Sequence, residues 1–366
     1  MFLLNRWRIF KNNNIDYSKF ESILEYQYSG YEYNDNKITN QTFHDNDEIL
    51  ICLKNYVKKN NNKKYLVSLS GGVDSMVLAT ILCYLGCEVI ACHINYNNRK
   101  ETKYEQEFLE VWCKYNDIKL YVKSINDVIR GSIKRSEYES YTRNIRFNLY
   151  KEVLALENCD EILLGHHKDD IVENIIANVC RGRNVLDLAV IKETNVVNDV
   201  IMVRPMINLY KENIYNFAQE NGVPYFKDTT PEWSVRGKYR TNVHIALQDT
   251  FGENMKENLI GLARQSDEWN MLIMKQLIEP FLESVKHNYN GASDNVYFNV
   301  ENYLKYPLCF WNLVFAKLFY RYGKNSPSRK GIQTFMNSIP GVGKVSISNT
   351  CICKVINNNV LITFKT

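Results

Sequence analysis

Two short stretches of the chain carry residues able to do chemistry. The first, Ser70-Gly71-Gly72-Val73-Asp74-Ser75, lies between an apolar run, Tyr65 to Leu69, and a helix-like run, Met76 to Leu85. A strand feeding a glycine loop that opens a helix presents free backbone N–H groups and the positive end of a helix dipole. Both suit a polyphosphate. Gly71 and Gly72 leave out side chains where backbone must approach phosphate, and Ser70 and Ser75 add hydroxyl donors. No Gly-Lys-Ser or Gly-Lys-Thr follows, so this is not the P-loop of kinases and GTPases. A glycine turn alone is also a common strand-to-helix connection.

The second stretch is Gly165-His166-His167-Lys168-Asp169-Asp170-Ile171-Val172-Glu173, after the apolar Glu161 to Leu164. Three residues apart, Asp170 and Glu173 share one helix face, opposite Ile171, Ile175 and Ile176. Two such carboxylates can hold Mg²⁺ or grip an ammonium group. Their bland alternative is to complement the helix dipole, with His166 and His167 as loop residues. Beside a phosphate loop, the functional reading is preferred. Two basic groups stand out as well. Glu139, Arg143 and Arg146 form one polar helical stripe, which by itself reads equally as a solvated salt-bridged face. Arg236, Lys238 and Arg240 lie among Trp233 and Tyr239, a mixture that suits single-stranded RNA but also occurs on ordinary surfaces.

These residues need a scaffold that brings strand ends together. From Tyr65 onward, β-rich runs at 65–69, 88–94, 119–124, 160–164 and 200–204 alternate with helix-period segments. That alternation predicts an α/β fold with a doubly wound parallel sheet, whose ligands bind beyond the carboxyl ends of the strands. The expected organisation is an N-terminal extension over 1–60 that reads as an appendage, a catalytic domain over 61–250, a helical linker over 251–290 and a small α+β unit over 291–366. Within the last two, one long helix over 253–287 ends or bends at Pro280. Strands near 296–300, 344–348, 351–356 and 359–364 and helices near 308–322 and 328–338 follow.

The 366 residues are 45% hydrophobic and 23% charged, ordinary values for a globular protein. No stretch approaches the apolar length of a membrane span and the N-terminus has no signal-peptide core, so no membrane partner is expected, and the cysteine usage suggests reduced thiols in a cytoplasmic protein. A net charge of +4 permits a nucleic-acid partner without demanding one. The ten cysteines include no Cys-x-x-Cys, which argues against a zinc ribbon or a disulfide framework.

Together, the Ser-Gly-Gly-x-Asp-Ser loop and Gly-His-His-x-Asp-Asp-x-x-Glu resemble the PP-loop ATP pyrophosphatases, and among them the tRNA(Ile)-lysidine synthase family. Further matches are His93-Ile94-Asn95 with Arg99, Glu139 to Arg146-Phe147, Arg181-Gly182, Arg204-Pro205-Met206, and Asp228 with the run Arg236 to Arg240. Tyr96 departs from the family, standing where it usually has a second histidine, and Ser140 and Thr142 replace two alanines. The resemblance implies ATP binding at Ser70, Gly71, Gly72, Val73, Asp74, Ser75, His93, Gly165 and His166, with Mg²⁺ beside Asp74. It implies catalytic roles for Asp74, for Asp170 and Glu173 in orienting lysine, and for Arg181 in balancing charge on an adenylate. It also implies tRNA contacts from Arg143, Arg146, Arg236, Lys238 and Arg240, and a tRNA-binding role for the C-terminal unit. The implied activity is a ligase: ATP adenylates the wobble cytidine of tRNA(Ile), and L-lysine then displaces AMP through its ε-amine. Oligomeric state is left open, a dimer being one option. Two alternatives are a tRNA thiolation enzyme of the same superfamily and a catalytically inactive tRNA-binding relative. The former generally relies on paired cysteines, and Cys180 has no Cys-x-x-Cys partner.

Overall fold

Short apolar runs, separated by helix-period stretches, form the strands of one sheet in the computed structural model, which describes residues 20, 22–25, 37–60, 64–128, 131–228, 230, 234–289 and 293–364. Along the chain come α1 (Glu48–Asn60), β1 (Lys64–Ser68), α2 (Val73–Tyr84), β2 (Glu88–Asn95), α3 (Glu101–Tyr115), β3 (Lys119–Ser124) and α4 (Arg135–Glu157). Then follow β4 (Glu161–Leu163), α5 (Lys168–Cys180), β5 (Thr194–Val197), β6 (Val200–Val203) and α6 (Lys211–Glu220). The strand order is β3-β2-β1-β4-β6-β5, parallel except for β5, which runs antiparallel to β6 at the edge. This is the expected parallel α/β sheet.

From β1 the chain winds outward to β3; from β4 it winds the other way to β6. The β1–β4 junction is therefore the topological switch point, and a crevice opens beyond the carboxyl ends of these two strands. Helix α2 follows β1 and is apolar on nearly every side, with Val73, Met76, Val77, Leu78, Ala79, Ile81 and Leu82 all buried. A helix without a polar face belongs in the interior, which fixes the phosphate-loop end of α2 against the sheet. On the other sheet face, Phe147, Tyr150 and Val153 of α4 pack with Leu66, Ile90, Cys92 and Ile162.

Two expectations change here. The described part of the N-terminal segment is not an appendage: Phe20, Ile23, Leu24, Ile38, Phe43, Ile49, Leu50 and Leu53 are buried in the same core as α2. The Phe20 ring meets Phe108 edge-on at 5.4 Å, and Leu24 bridges to Phe226. Strand β5 was not expected. It pairs with β6 across Asn198 and Asp199, both at positive φ (49° and 60°), the conformation of a tight two-residue hairpin turn.

Contacts divide the chain into two units, one comprising 1–183 with 188–263, the other 184–187 with 264–366. The first also holds α7 (Val235–Lys238), a π-helical stretch (Tyr239–Val243) and α8 (His244–Phe251), and the division falls within α9 (Met255–Ile273). The expected long helix passes through a second π-helical stretch, Met274–Ile278, before α10 (Glu279–Ser284). Pro280 lies in the first turn of α10, where its missing N–H is tolerated.

In the second unit β7 (Lys286–Tyr289) and β8 (Asp294–Asn299) are followed by α11 (Leu308–Arg321) and α12 (Arg329–Met336). The chain ends in β9 (Gly341–Val345), β10 (Cys351–Asn357) and β11 (Asn359–Phe364). They form an antiparallel sheet, β7-β8-β11-β10-β9, whose core includes Trp311, Phe315, Phe319, Phe335 and Phe364. β7 replaces the expected end of the long helix, and β9 begins three residues before the expected position. No helix of the described residues is long and apolar enough to cross a membrane.

Candidate active site

The phosphate loop and the acidic helix meet at the switch point. Gly165, after β4, packs so closely on the β1 loop that a Cβ would lie 2.8 Å from the carbonyl carbon of Asp74. Glycine here is demanded by the contact between the two loops. In the phosphate loop, Gly71 has φ +83°, and a Cβ would fall 1.9 Å from the Phe226 ring. Gly72 differs: its φ is −68° and a Cβ would meet only Ser70 Oγ, at 3.5 Å. Gly71 thus serves the loop's shape, and Gly72 leaves an open approach to the backbone.

The two serine hydroxyls turn mainly inward. Ser75 Oγ donates to the Gly72 carbonyl (3.0 Å) and accepts from the Ser70 N–H (3.2 Å), and the two hydroxyls lie 3.1 Å apart. They brace the loop, while Ser70, expected as a phosphate donor, also lines the cavity beside it. Val73 opens α2 at the mouth, and His93 is buried with its Nδ1 2.9 Å from the Leu69 carbonyl. Burial lowers the His93 pKa, so a neutral ring fits beside β1. Ser70, Gly72, Val73, Asp74, His93, Tyr96 and Arg146 all line a cavity of about 400 Å³, large enough for a small-molecule ligand.

A second cavity of about 300 Å³ adjoins it, sharing Asp74's neighbour Lys211 with Tyr215, Asp228 and Arg240. Its walls include His167, Asp169, Asp170, Glu173, Tyr239 and His244. His167, assigned no site role of its own from sequence, is 1% exposed and sits among three carboxylates. Its Nε2 is 3.6 Å from Asp74 Oδ1 and 3.3 Å from Asp170 Oδ2, and its Nδ1 is 3.6 Å from Asp169 Oδ2. It joins the phosphate loop to the acidic helix. Asp74 Oδ1 is buried without a hydrogen-bond partner among the described residues, and Asp74 Oδ2 lies 3.7 Å from Lys211 Nζ.

Asp170 and Glu173 titrate in opposite directions. Burial would raise the Asp170 carboxyl, but His167, Arg236 and His166 around it bring it below its ordinary value. At Glu173 burial dominates and, with Asp170 nearby, holds the carboxyl above its ordinary value despite Arg236 and Arg240. Asp169, on the wall of the same cavity, accepts from Lys256 Nζ (2.5 Å) and the Lys211 N–H (2.8 Å). His166 is half-buried and its Nδ1 accepts from Arg204 Nε at 3.1 Å; burial lowers its pKa to about 4. Arg204 is in turn fixed by the Lys192 carbonyl and by Asn195 of the unexpected strand β5.

The basic candidates separate. Arg236 and Arg240 engage acids: Arg236 bonds Asp170 and Glu173, and Arg240 bonds Asp228 at 2.8 Å and approaches Glu173 at 3.6 Å. They do not form an outward basic cluster with Lys238, which is exposed; Trp233 lies outside the described residues. On α4, Arg146 faces the nucleotide-sized cavity and Arg143 is exposed above the Phe147 ring. Glu139 pairs with Arg135, not with Arg143. Arg181 is not brought to the site: it is exposed at the opposite end of α5, about 16 Å along the helix from Asp170. Residues absent from the sequence reading's site are Lys211, His167, Tyr239 and His244. His167 had a visible signal, its place in the His-His-x-Asp-Asp run.

The sequence also matches known proteins. The PP-loop domain family matches residues 46–243, more than half of the chain. A tRNA(Ile)-lysidine synthase of Chlamydia trachomatis serovar L2 is 30% identical over 232 residues, covering 63% of this chain and 71% of the relative. The chain belongs to the tRNA(Ile)-lysidine synthase family of PP-loop domain proteins. Family members from Chlamydia caviae (29% identical, 61% of this chain, 70% of the relative) and Mesoplasma florum (31%, 55% and 50%) are also similar. The chain thus spans about half the length of the Mesoplasma protein and more of the chlamydial ones.

Proposed function

We propose that this protein makes lysidine, using ATP to join L-lysine to the wobble cytidine of tRNA(Ile). The observation that carries the reading is the contact of Gly165 with Asp74, which sets a phosphate loop against an acid-lined pocket. ATP would lie with its phosphates over Gly72 and the first turn of α2, where helix N–H groups favour anions. The cytidine O2 attacks the α-phosphorus; the bond to the bridging oxygen breaks and pyrophosphate leaves. Adenylation turns a poor leaving oxygen into a good one.

Lysine then supplies its ε-amine to C2, and the C2–O bond breaks as AMP departs. The divergent carboxylates divide this work. Asp170, held anionic, anchors the ammonium, and Glu173, with its raised pKa, takes the proton that must leave nitrogen before attack. Lys211 and Arg146 face the region where phosphate charge would gather. Asp74 Oδ1, which has no hydrogen bond among the described residues, fits a Mg²⁺ ion, which takes one or two carboxylates plus substrate phosphates. Such an ion would offset phosphate charge at the reacting end of ATP. The target base must leave its stack for C2 to be reached. The exposed Arg143 and Lys238 are the family-implied residues best placed to meet the RNA backbone.

The test is nucleoside mass spectrometry of tRNA(Ile) incubated with protein, ATP and lysine. A cytidine heavier by lysine minus water is expected. A sulfur-for-oxygen mass change would assign a thiolation enzyme, and tRNA binding without ATP consumption an inactive relative.

A further inference from the structure

The two acids of α5 already hold a cation, and the chain itself supplies it. Arg236 Nη2 lies 2.5 Å from Asp170 Oδ1, and its Nε lies 3.2 Å from Glu173 Oε2. The guanidinium fills the space between the carboxylates where a substrate amine would sit. Asp170 is 7% exposed, whereas Arg236 keeps 48% of its side chain in solvent. The arginine can therefore swing into water while the acid stays. The movement is the side chain's alone, because its backbone is held in α7, which is capped by Ser234 Oγ accepting from the Gly237 N–H at 2.9 Å and opens an unbroken helical run over 235–251. α7 runs directly into the π-helical stretch, a feature that recurs at functional sites.

Other acids of the pocket have different cations. Asp169 is bonded to Lys256 and Asp228 to Arg240. Arg240 is also 3.6 Å from Glu173, but it is 27% exposed and already committed to Asp228 at 2.8 Å. Arg236 is the guanidinium that grips both members of the pair.

We propose that Arg236 is a built-in competitor for the ammonium seat, so that lysine enters by displacing it. This rests on the reading of Asp170 and Glu173 as that seat. The apparent affinity for lysine is then the intrinsic affinity reduced by the fraction of molecules in which Arg236 has swung out. Because Asp170 is a buried carboxylate, it must not be left without a cation, so the amine takes its place as Arg236 leaves. Arg236 thereby sets the threshold that an amine must pass, and selects ligands whose cation reaches both carboxylates.

The experiment is calorimetric titration of L-lysine into the full chain in the presence of ATP. Arg236→Gln is expected to bind lysine about fivefold tighter than the unmodified protein. Arg236→Lys, which keeps a cation but loses the fork that reaches both carboxylates, is expected to bind lysine with an affinity between those of the unmodified protein and Arg236→Gln. Adding Asp170→Asn to Arg236→Gln is expected to abolish the gain. Equal or weaker lysine binding by Arg236→Gln, with ATP binding intact, overturns the competitor role while leaving the seat in place. Lysine binding that survives Asp170→Asn unchanged overturns the seat itself, and the competitor with it. If Arg236→Gln loses ATP binding through misfolding, Arg236→Met, equally uncharged but with an apolar stem that keeps the packing of the arginine's methylenes, provides the same reading.

Discussion

Gly165 and Asp74 touch so closely that no side chain fits between them: an added Cβ would lie 2.8 Å from the Asp74 carbonyl carbon and 3.0 Å from its Cβ. Both neighbours are on the rigid first turn of α2, so neither yields cheaply. Gly165→Ala should push the two loops apart and turn the Asp74 carboxylate away from His167. The cost to stability should be about 1–3 kcal/mol from overpacking. ATP consumption in the presence of tRNA should fall more than the melting temperature alone explains. Unchanged turnover would mean that the register of these loops does not govern the chemistry.

Gly71 and Gly72 are neighbours with opposite reasons for being glycine. Gly71→Ala meets both a positive φ and the Phe226 ring, so it should destabilise the fold by about 2–4 kcal/mol, combining strain and overpacking. Gly72→Ala has ordinary backbone geometry and a 3.5 Å neighbour, so thermal unfolding should move little. It should nonetheless weaken ATP binding, because its methyl points where phosphates approach. Parallel melting and nucleotide-binding curves for the pair decide this; if both variants melt alike and bind alike, the division of labour is wrong.

Much of this site was readable because two signals depend on local sequence. A glycine loop between a strand and a helix, and acids spaced by three, announce themselves without tertiary information. What was not readable depended on distant partners. Arg236 and Arg240 look like a surface cluster until Asp170, Glu173 and Asp228 arrive from elsewhere. Arg181 follows an active helix but at its wrong end, a point that helix length alone could have raised. The N-terminal residues 20–53 have too irregular a pattern to show that Phe20, Ile38 and Phe43 share the core of α2. Strand β5 is four residues of alternating, half-exposed Thr, Asn and Val, so its only local sign was the Asn198-Asp199 turn.

His166 makes the fold sensitive to acid. Its folded pKa of about 4 lies below the ordinary 6.5 because burial disfavours the charged ring, and Arg204 needs its Nδ1 lone pair. The unfolded chain therefore takes up a proton first as pH falls. The stability associated with His166 is complete above about pH 6.5 and is lost as pH drops from there towards about 4. His166→Gln, which cannot titrate, should flatten the pH dependence of denaturant midpoints across that window. A slope as steep in the variant as in the unmodified protein would place the acid sensitivity elsewhere.

Glu173 offers the sharpest separation of the two chemical steps. Its carboxyl is raised by burial and by Asp170, the direction expected of a base that must collect a proton from an ammonium. Glu173→Gln keeps size and hydrogen bonding but cannot accept that proton. Adenylation does not involve it, so pyrophosphate release with tRNA and ATP should persist within about threefold. Transfer of lysine should slow by about 10²–10⁴-fold, the range for loss of a general base. Because the base form is required, the unmodified enzyme's lysine step should rise with pH through a value above that of an ordinary glutamate, and the variant should lose that limb. Single-turnover assays that follow pyrophosphate and lysidine separately would reveal it. Equal slowing of both steps would assign Glu173 to holding the pocket together, and the proton would have to leave by way of another group.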